Sequence, residues 1–174
     1  MTWRTHALTG VNSLWLLTVV PDGVTPSNVA WLSAVTAVGS LLLDLDAAAS
    51  KLKHLRVGGM KPFALLSPSL HRALGHRGLL HSLVGLGIIV SLALSLAPWW
   101  GWQPSVALVL GSASHLLTDS ATRTGIPLLY SNAQRWHLLP QSLRIVTGSP
   151  TEDAVLPFLV AGAALLLLSH LPLT

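Results

Sequence analysis

The sequence predicts an all-α integral membrane protein, a single domain over residues 1–174 built as a bundle of about five transmembrane helices. Three observations lead there. Of 174 residues, 51% are apolar and only 9% are Asp, Glu, Lys or Arg, where a soluble domain carries about 25% of those four types. The apolar residues fall into five runs punctuated by charge or by Pro and Gly, as spans joined by turns do. Finally, the ten Lys and Arg residues segregate to one side of the resulting topology. A mean hydropathy of +0.62 argues against a soluble enzyme and against a disordered chain. At about 20 residues per span the length leaves room for four to six helices.

The first run, 7–20, is short and closes on Pro21-Asp22-Gly23. No small-x-small site follows it, so a cleavable signal peptide is not expected. The second, 27–43, follows Pro26, a residue suited to a helix start, and ends in Asp44-Leu45-Asp46. Both lie at or below the usual spanning length and need tilt, bilayer thinning or burial in the bundle. The third, 78–97, ends at Pro98 and a cluster of Trp99, Trp100 and Trp102. The fourth, 105–122, begins after Pro104, and the fifth, 154–171, follows Glu152-Asp153. Between the second and third runs, 47–77 is basic and partly apolar through Met60, Phe63, Leu65 and Leu66. An interfacial helix and an ordinary basic loop are equally compatible with it.

With five spans, the N-terminus, 47–77 and 123–151 share one side. Arg4 lies in the first, six cations from Lys51 to Arg77 in the second, and Arg123, Arg135 and Arg144 in the third. The positive-inside rule puts this side in the cytoplasm, with the C-terminus outside and the tryptophan cluster at the opposite interface. A multi-pass protein of the inner, cytoplasmic membrane is therefore expected. The net charge of +4 reads as this asymmetry, and no nucleic-acid partner is expected. The chain has no cysteine, which excludes disulfides, thiolate metal sites and a thiol nucleophile.

Ionisable groups inside or at the ends of apolar spans are costly and point by default to function. Here they gather at the cytoplasmic end: His6, Asp44 and Asp46, His76, Arg77 and His81, His115 and Asp119, and Glu152. His115 and Asp119 are four apart, so a helix presents both from one face. Asp44 and Asp46 are two apart, about 200° around an α-helix, and converge only if the helix unwinds at its end. Of His76 and His81, one is expected before the third helix and one in its first turn. Imidazole and carboxylate without thiolate suit zinc first, then manganese or iron(II), in one or two ions. The candidate ligands are His6, Asp44, Asp46, His76, His81, His115 and Asp119. His71 is ambiguous, while His54, His137 and His170 read as interfacial.

At these residues the sequence resembles the YdjM-like family of inner-membrane, metal-dependent hydrolases. The matching pieces are Thr5-His6, the stretch Gly39 to Asp46, the stretch His76 to Leu83, the stretch Gly111 to Asp119 with Thr122 and Gly125, and Thr147-Gly148-Ser149 with Glu152. Leu43 stands where the family usually has Pro, and Leu80 where Thr is common. A more distant likeness to zinc-dependent phospholipase C implies one ion held by Asp119 and His6. It implies a second held by His115, His81 and Asp44 or Asp46.

The expected function is a membrane-embedded hydrolase acting on a membrane lipid or lipid-linked amphiphile at the cytoplasmic leaflet through metal-activated water. A phosphoester is favoured because so many cations surround the site. Whichever of Asp44 and Asp46 is not a ligand is a candidate general base, as is Glu152. Arg77 is a candidate phosphate clamp through its bidentate fork, or else a positive-inside anchor. The alternatives are a divalent-metal transporter, disfavoured by an outer half that is nearly all Leu, Val and Ala, and a non-catalytic scaffold or regulator.

Overall fold

The computed structural model describes residues 1–46, 79–130 and 134–170, with Asp46 described by its backbone. Among the described residues there are five α-helices: α1 (Trp3–Ser13), α2 (Val29–Leu42), α3 (Leu83–Trp100), α4 (Trp102–Ser120) and α5 (Pro150–Ser169). Three 3-10 turns punctuate it at Leu14–Leu16, Leu43–Asp46 and Gln141–Leu143. Among the described residues there is no strand; two isolated bridges, Thr122 with Ile145 and Ile126 with Trp136, lie in the α4–α5 connection.

Burial separates the helices into two kinds. α4 is the axis, with 11 of its 19 residues buried and α1, α2 and α3 packed around it, while α5 docks on α1. α3 buries only Gly85, Ile89 and Ala93, a narrow stripe at four-residue spacing. α5 buries only Glu152, Ala163 and Leu166. Large apolar side chains on the remaining faces of both helices are exposed, including Ile88, Leu94, Phe158 and Leu165. A helix apolar all round with one narrow packed stripe is suited to lipid on its other faces. These two helices, of 18 and 20 residues, are long and apolar enough to cross a membrane, at roughly 27–30 Å against a hydrocarbon core of about 30 Å.

The first expected run is corrected. Instead of spanning 7–20, α1 starts at Trp3 and stops at Ser13, passing into the 3-10 turn. Its 11 residues cover only about 17 Å. Near its end Ser13 Oγ donates to the Gly10 carbonyl, and Asn12 Nδ2 donates to Leu8 O and to Leu159 O of α5. Side chains that bond the local backbone compete with helix continuation. The third expected run begins late as well, at Leu83 rather than 78, because Ser82 caps it: its Oγ accepts from Gly85 N. The interfacial helix or loop expected at 47–77 lies outside the described residues.

α2 and α4 cross at unusually short range. A Cβ on Gly111 would stand 2.9 Å from Ser40 N and closer still to the Thr36 carbonyl oxygen, and one on Gly39 would stand 2.5 Å from Leu108 O. Small residues on both faces let the two backbones approach. Ser112 Oγ then donates across the contact to Gly39 O at 3.0 Å.

Candidate metal centre

The helices bring their polar ends together at one end of the bundle. His6 sits in the first turns of α1, Asp44 in the 3-10 turn after α2, and His81 just before the cap of α3. His115 and Asp119 lie in the last turns of α4. His6, His81, His115 and Asp119 are fully buried, at 0–1% exposure. Uncompensated burial of such groups is expensive, so their arrangement is informative.

Four ligand atoms define a cage. His81 Nε2 and His115 Nε2 are 3.2 Å apart. Asp44 Oδ1 lies 3.4 Å from His81 Nε2 and 3.8 Å from His115 Nε2. Asp119 Oδ2 lies 3.7 Å from His115 Nε2 and 3.9 Å from His81 Nε2. A tetrahedral zinc with bonds near 2.0–2.1 Å holds its ligand atoms about 3.4 Å from one another. These five separations bracket that edge, and imidazole nitrogens with carboxylate oxygens are a chemically suitable set.

A second group adjoins the first. The other oxygen of Asp119, Oδ1, lies 3.3 Å from His6 Nε2 and 2.5 Å from the Met1 amino nitrogen. His6, His115 and Asp119 offer ligand atoms all within 4.8 Å of one another, as do Asp44, His81 and His115. The His6 ring stacks on that of His115 with centroids 3.8 Å apart. Asp119 thus turns one oxygen to each group, the geometry of a bridging carboxylate.

The surroundings orient these rings. His115 Nδ1 faces the Ser40 carbonyl at 2.5 Å; a carbonyl only accepts, so Nδ1 carries the proton and Nε2 keeps its lone pair for the cage. The close approach at Gly39 and Gly111 delivers that carbonyl. His6 Nδ1 lies 2.9 Å from Thr118 Oγ1, and the Thr118 hydroxyl has the Ser114 and His115 carbonyls within reach as acceptors. A hydroxyl donating to a carbonyl accepts from His6 Nδ1–H, which again leaves Nε2 toward the site.

Of the expected residues, the structure brings together His6, Asp44, His81, His115 and Asp119. The 3-10 turn is the unwinding that lets Asp44 turn inward; the Asp46 side chain, His76 and Arg77 lie outside the described residues. Where one of the two expected histidines was to occupy the first turn of the third helix, His81 precedes the cap. Glu152 is placed differently from a general base poised over the cluster. Buried at 1% exposure, it accepts from Thr2 N at 2.6 Å, Thr5 Oγ1 at 2.5 Å and Gly148 N at 2.7 Å. These three donors tie the start of α1 to the start of α5. Sequence reasoning assigned no role to Ser40, Thr118 or Thr5, although each lies beside a candidate ligand or within a matching piece.

A family model described as YdjM inner membrane protein matches residues 1–171. The uncharacterized protein YvsG of Bacillus subtilis (strain 168) is 33% identical over 156 residues, covering 90% of this chain and 88% of that protein. The inner membrane proteins YdjM of Escherichia coli (strain K12) and Shigella flexneri are each 37% identical over 76 residues, 42% of this chain and 39% of theirs. No solved structure matches. The likeness to zinc-dependent phospholipase C finds no counterpart among these matches.

Proposed function

On the premise that the chain belongs to the YdjM family of inner membrane proteins, we propose that it is a metal-dependent hydrolase of a lipid or other amphiphile, with a phosphoester as the favoured substrate. The single observation that carries the reading is the cluster in which the His81 and His115 Nε2 atoms, 3.2 Å apart, each lie within 3.9 Å of an oxygen of Asp44 and of Asp119. Asp44, His81, His115 and Asp119 would hold one divalent ion, with zinc favoured by ligand type, and His6 with Asp119 would contribute to a second. An ion there would supply Lewis acidity toward a phosphoryl oxygen and would lower the pKa of water toward neutrality.

The protein's own residues do the rest. The Ser40 carbonyl and the Thr118 hydroxyl fix the imidazole tautomers, and the packed ends of α1, α2 and α4 exclude bulk water. Asp44 is the one member of the cage that is a quarter exposed, at 25%, which makes its side the approach for substrate. Asp46 remains the candidate general base and Arg77 the candidate phosphate clamp. Glu152 serves as the tie that keeps His6 in place. In the bilayer, α3 and α5 face lipid and the other helices enter the membrane in their shelter, with the site on the cytoplasmic leaflet.

The test is metal content, measured by elemental mass spectrometry, of detergent-purified protein beside a His115→Ala/Asp119→Asn variant. One or two equivalents of zinc, manganese or iron, absent in the folded variant, are expected. Hydrolysis of labelled phospholipids by the loaded protein should be lost with them. A folded protein that stays empty when ions are supplied would overturn the reading and leave the scaffold. Metal flux into proteoliposomes without hydrolysis would replace it with transport.

A further inference from the structure

The connection between α4 and α5 is not a loose loop. It is tied to the end of α4 by backbone hydrogen bonds from Leu138 N to Ser120 O at 2.9 Å and from Ile145 N to Ala121 O at 3.0 Å. Thr122 Oγ1 donates to the carbonyl of Asp119 itself, and Leu83 N, at the first residue of α3, donates to Leu128 O. Ile126 and Trp136 exchange both of their backbone hydrogen bonds. The segment is therefore held as a collar around the end of the bundle that carries the His/Asp cluster.

This ordered collar turns apolar side chains outward. Leu129, Tyr130, Trp136, Leu138 and Leu143 are 39–63% exposed. Side chains of this size held in water forgo about 25 cal/mol for each Å² left exposed, and here nothing local relieves them. Cations stand among them: Arg123 and Arg135 are exposed and Arg144 partly so. Arg135 also lines a cleft of about 190 Å³ with Leu128, Leu129, Gln134 and Trp136. No acidic residue lies between Ser120 and Thr151, so the collar is uniformly basic.

Its level along the bundle is set by the two spans. α3 begins at Leu83, bonded to the collar, and α5 begins at Pro150, just after Ser149 N bonds Val146 O. The collar sits where both lipid-facing helices start, which is the boundary between hydrocarbon and headgroups. Tyr, Trp and Arg among aliphatic side chains match that layer, the rings at headgroup depth and the guanidinium groups on anionic phosphates.

We propose that the described parts of this collar, 121–130 and 134–149, form a membrane-docking surface that inserts its apolar side chains into the leaflet and binds anionic phospholipid headgroups through Arg123 and Arg135. Its occupant is the bilayer's own anionic lipid, gathered beside the His/Asp cluster. The proposal uses no metal and holds whether or not the cluster is catalytic.

The chain has no cysteine, so single spin labels can be placed without other changes. Leu138→Cys and Leu143→Cys are labelled in the full chain and reconstituted into vesicles of phosphatidylcholine alone or with phosphatidylglycerol. A spin-labelled free cysteine in the same buffer serves as the aqueous reference. Both collar labels are expected to collide with dissolved oxygen more than with a water-soluble nickel chelate, the reference showing the reverse. Phosphatidylglycerol should deepen the collar labels, and Arg123→Gln/Arg135→Gln should abolish that deepening. Nickel accessibility equal to that of the aqueous reference would overturn the docking surface. Deep labels indifferent to phosphatidylglycerol would overturn the headgroup assignment.

Discussion

Replacing Gly111 by Ala tests how the metal centre depends on one helix crossing. The added methyl would stand 2.9 Å from Ser40 N and from the Thr36 carbonyl carbon, and nearer still to the Thr36 oxygen. Those are backbone atoms, which have no rotamer to escape into. Carbon contacts settle at about 3.5–4.0 Å, so α2 and α4 must part locally by roughly 1 Å. The Ser40 carbonyl rides on α2, and its 2.5 Å contact with His115 Nδ1 would open to about 3.5 Å, where a hydrogen bond ends. Asp44, at the end of the same helix, is drawn from the cage. Overpacking of this kind costs about 1–3 kcal/mol, and loss of a ligand's orienting partner costs about 10–100-fold in metal affinity. The assay is chelator competition for zinc on detergent-purified protein, with thermal unfolding beside it. Gly87→Ala in α3 is the control, since a Cβ there meets nothing within 4 Å; it should leave affinity unchanged and favour the helix by about 0.5–1 kcal/mol. Wild-type affinity in Gly111→Ala would refute the claim that the crossing positions His115.

Two further substitutions address the residues around the ligands. Thr118→Val keeps the shape but removes the hydroxyl 2.9 Å from His6 Nδ1. Metal bound on the His6 side should weaken by about 10–100-fold, and Thr118→Ser should restore it; equal metal titrations for Thr118→Val and wild type would exclude the role. Glu152→Gln sets an amide donor against one of three donors now accepted by the carboxylate, at a cost of about 1–3 kcal/mol. A lowered Tm with metal content kept below it is expected. Unchanged Tm with lost hydrolysis would return Glu152 to the general-base role.

Much of this was legible in local pattern. The apolar runs read as helices because helical burial depends on residues three and four apart, and the runs at Leu83–Trp100 and Pro150–Ser169 are apolar enough to declare themselves. His115 and Asp119 were readable as partners because one turn of helix separates them. α1 was misread because its end is decided by Asn12 reaching Leu159 on α5, a partner 147 residues away. The start of α3 was misplaced because the capping of Gly85 by Ser82 competes with an apolar pattern that runs on without a break.

The sequence by itself determined that this chain belongs in a membrane, is helical, and collects imidazole and carboxylate at one end. Those properties follow from composition and short-range periodicity. Only the tertiary structure brought oxygens of Asp44 and Asp119 within 3.9 Å of the paired His81 and His115 nitrogens, since four side chains from three segments converge by packing. Only the fold showed the Ser40 carbonyl as the partner of His115, because a backbone carbonyl is the same whatever residue carries it. It likewise showed Glu152 tying α1 to α5, because the donors folded around this buried carboxylate come from both segments.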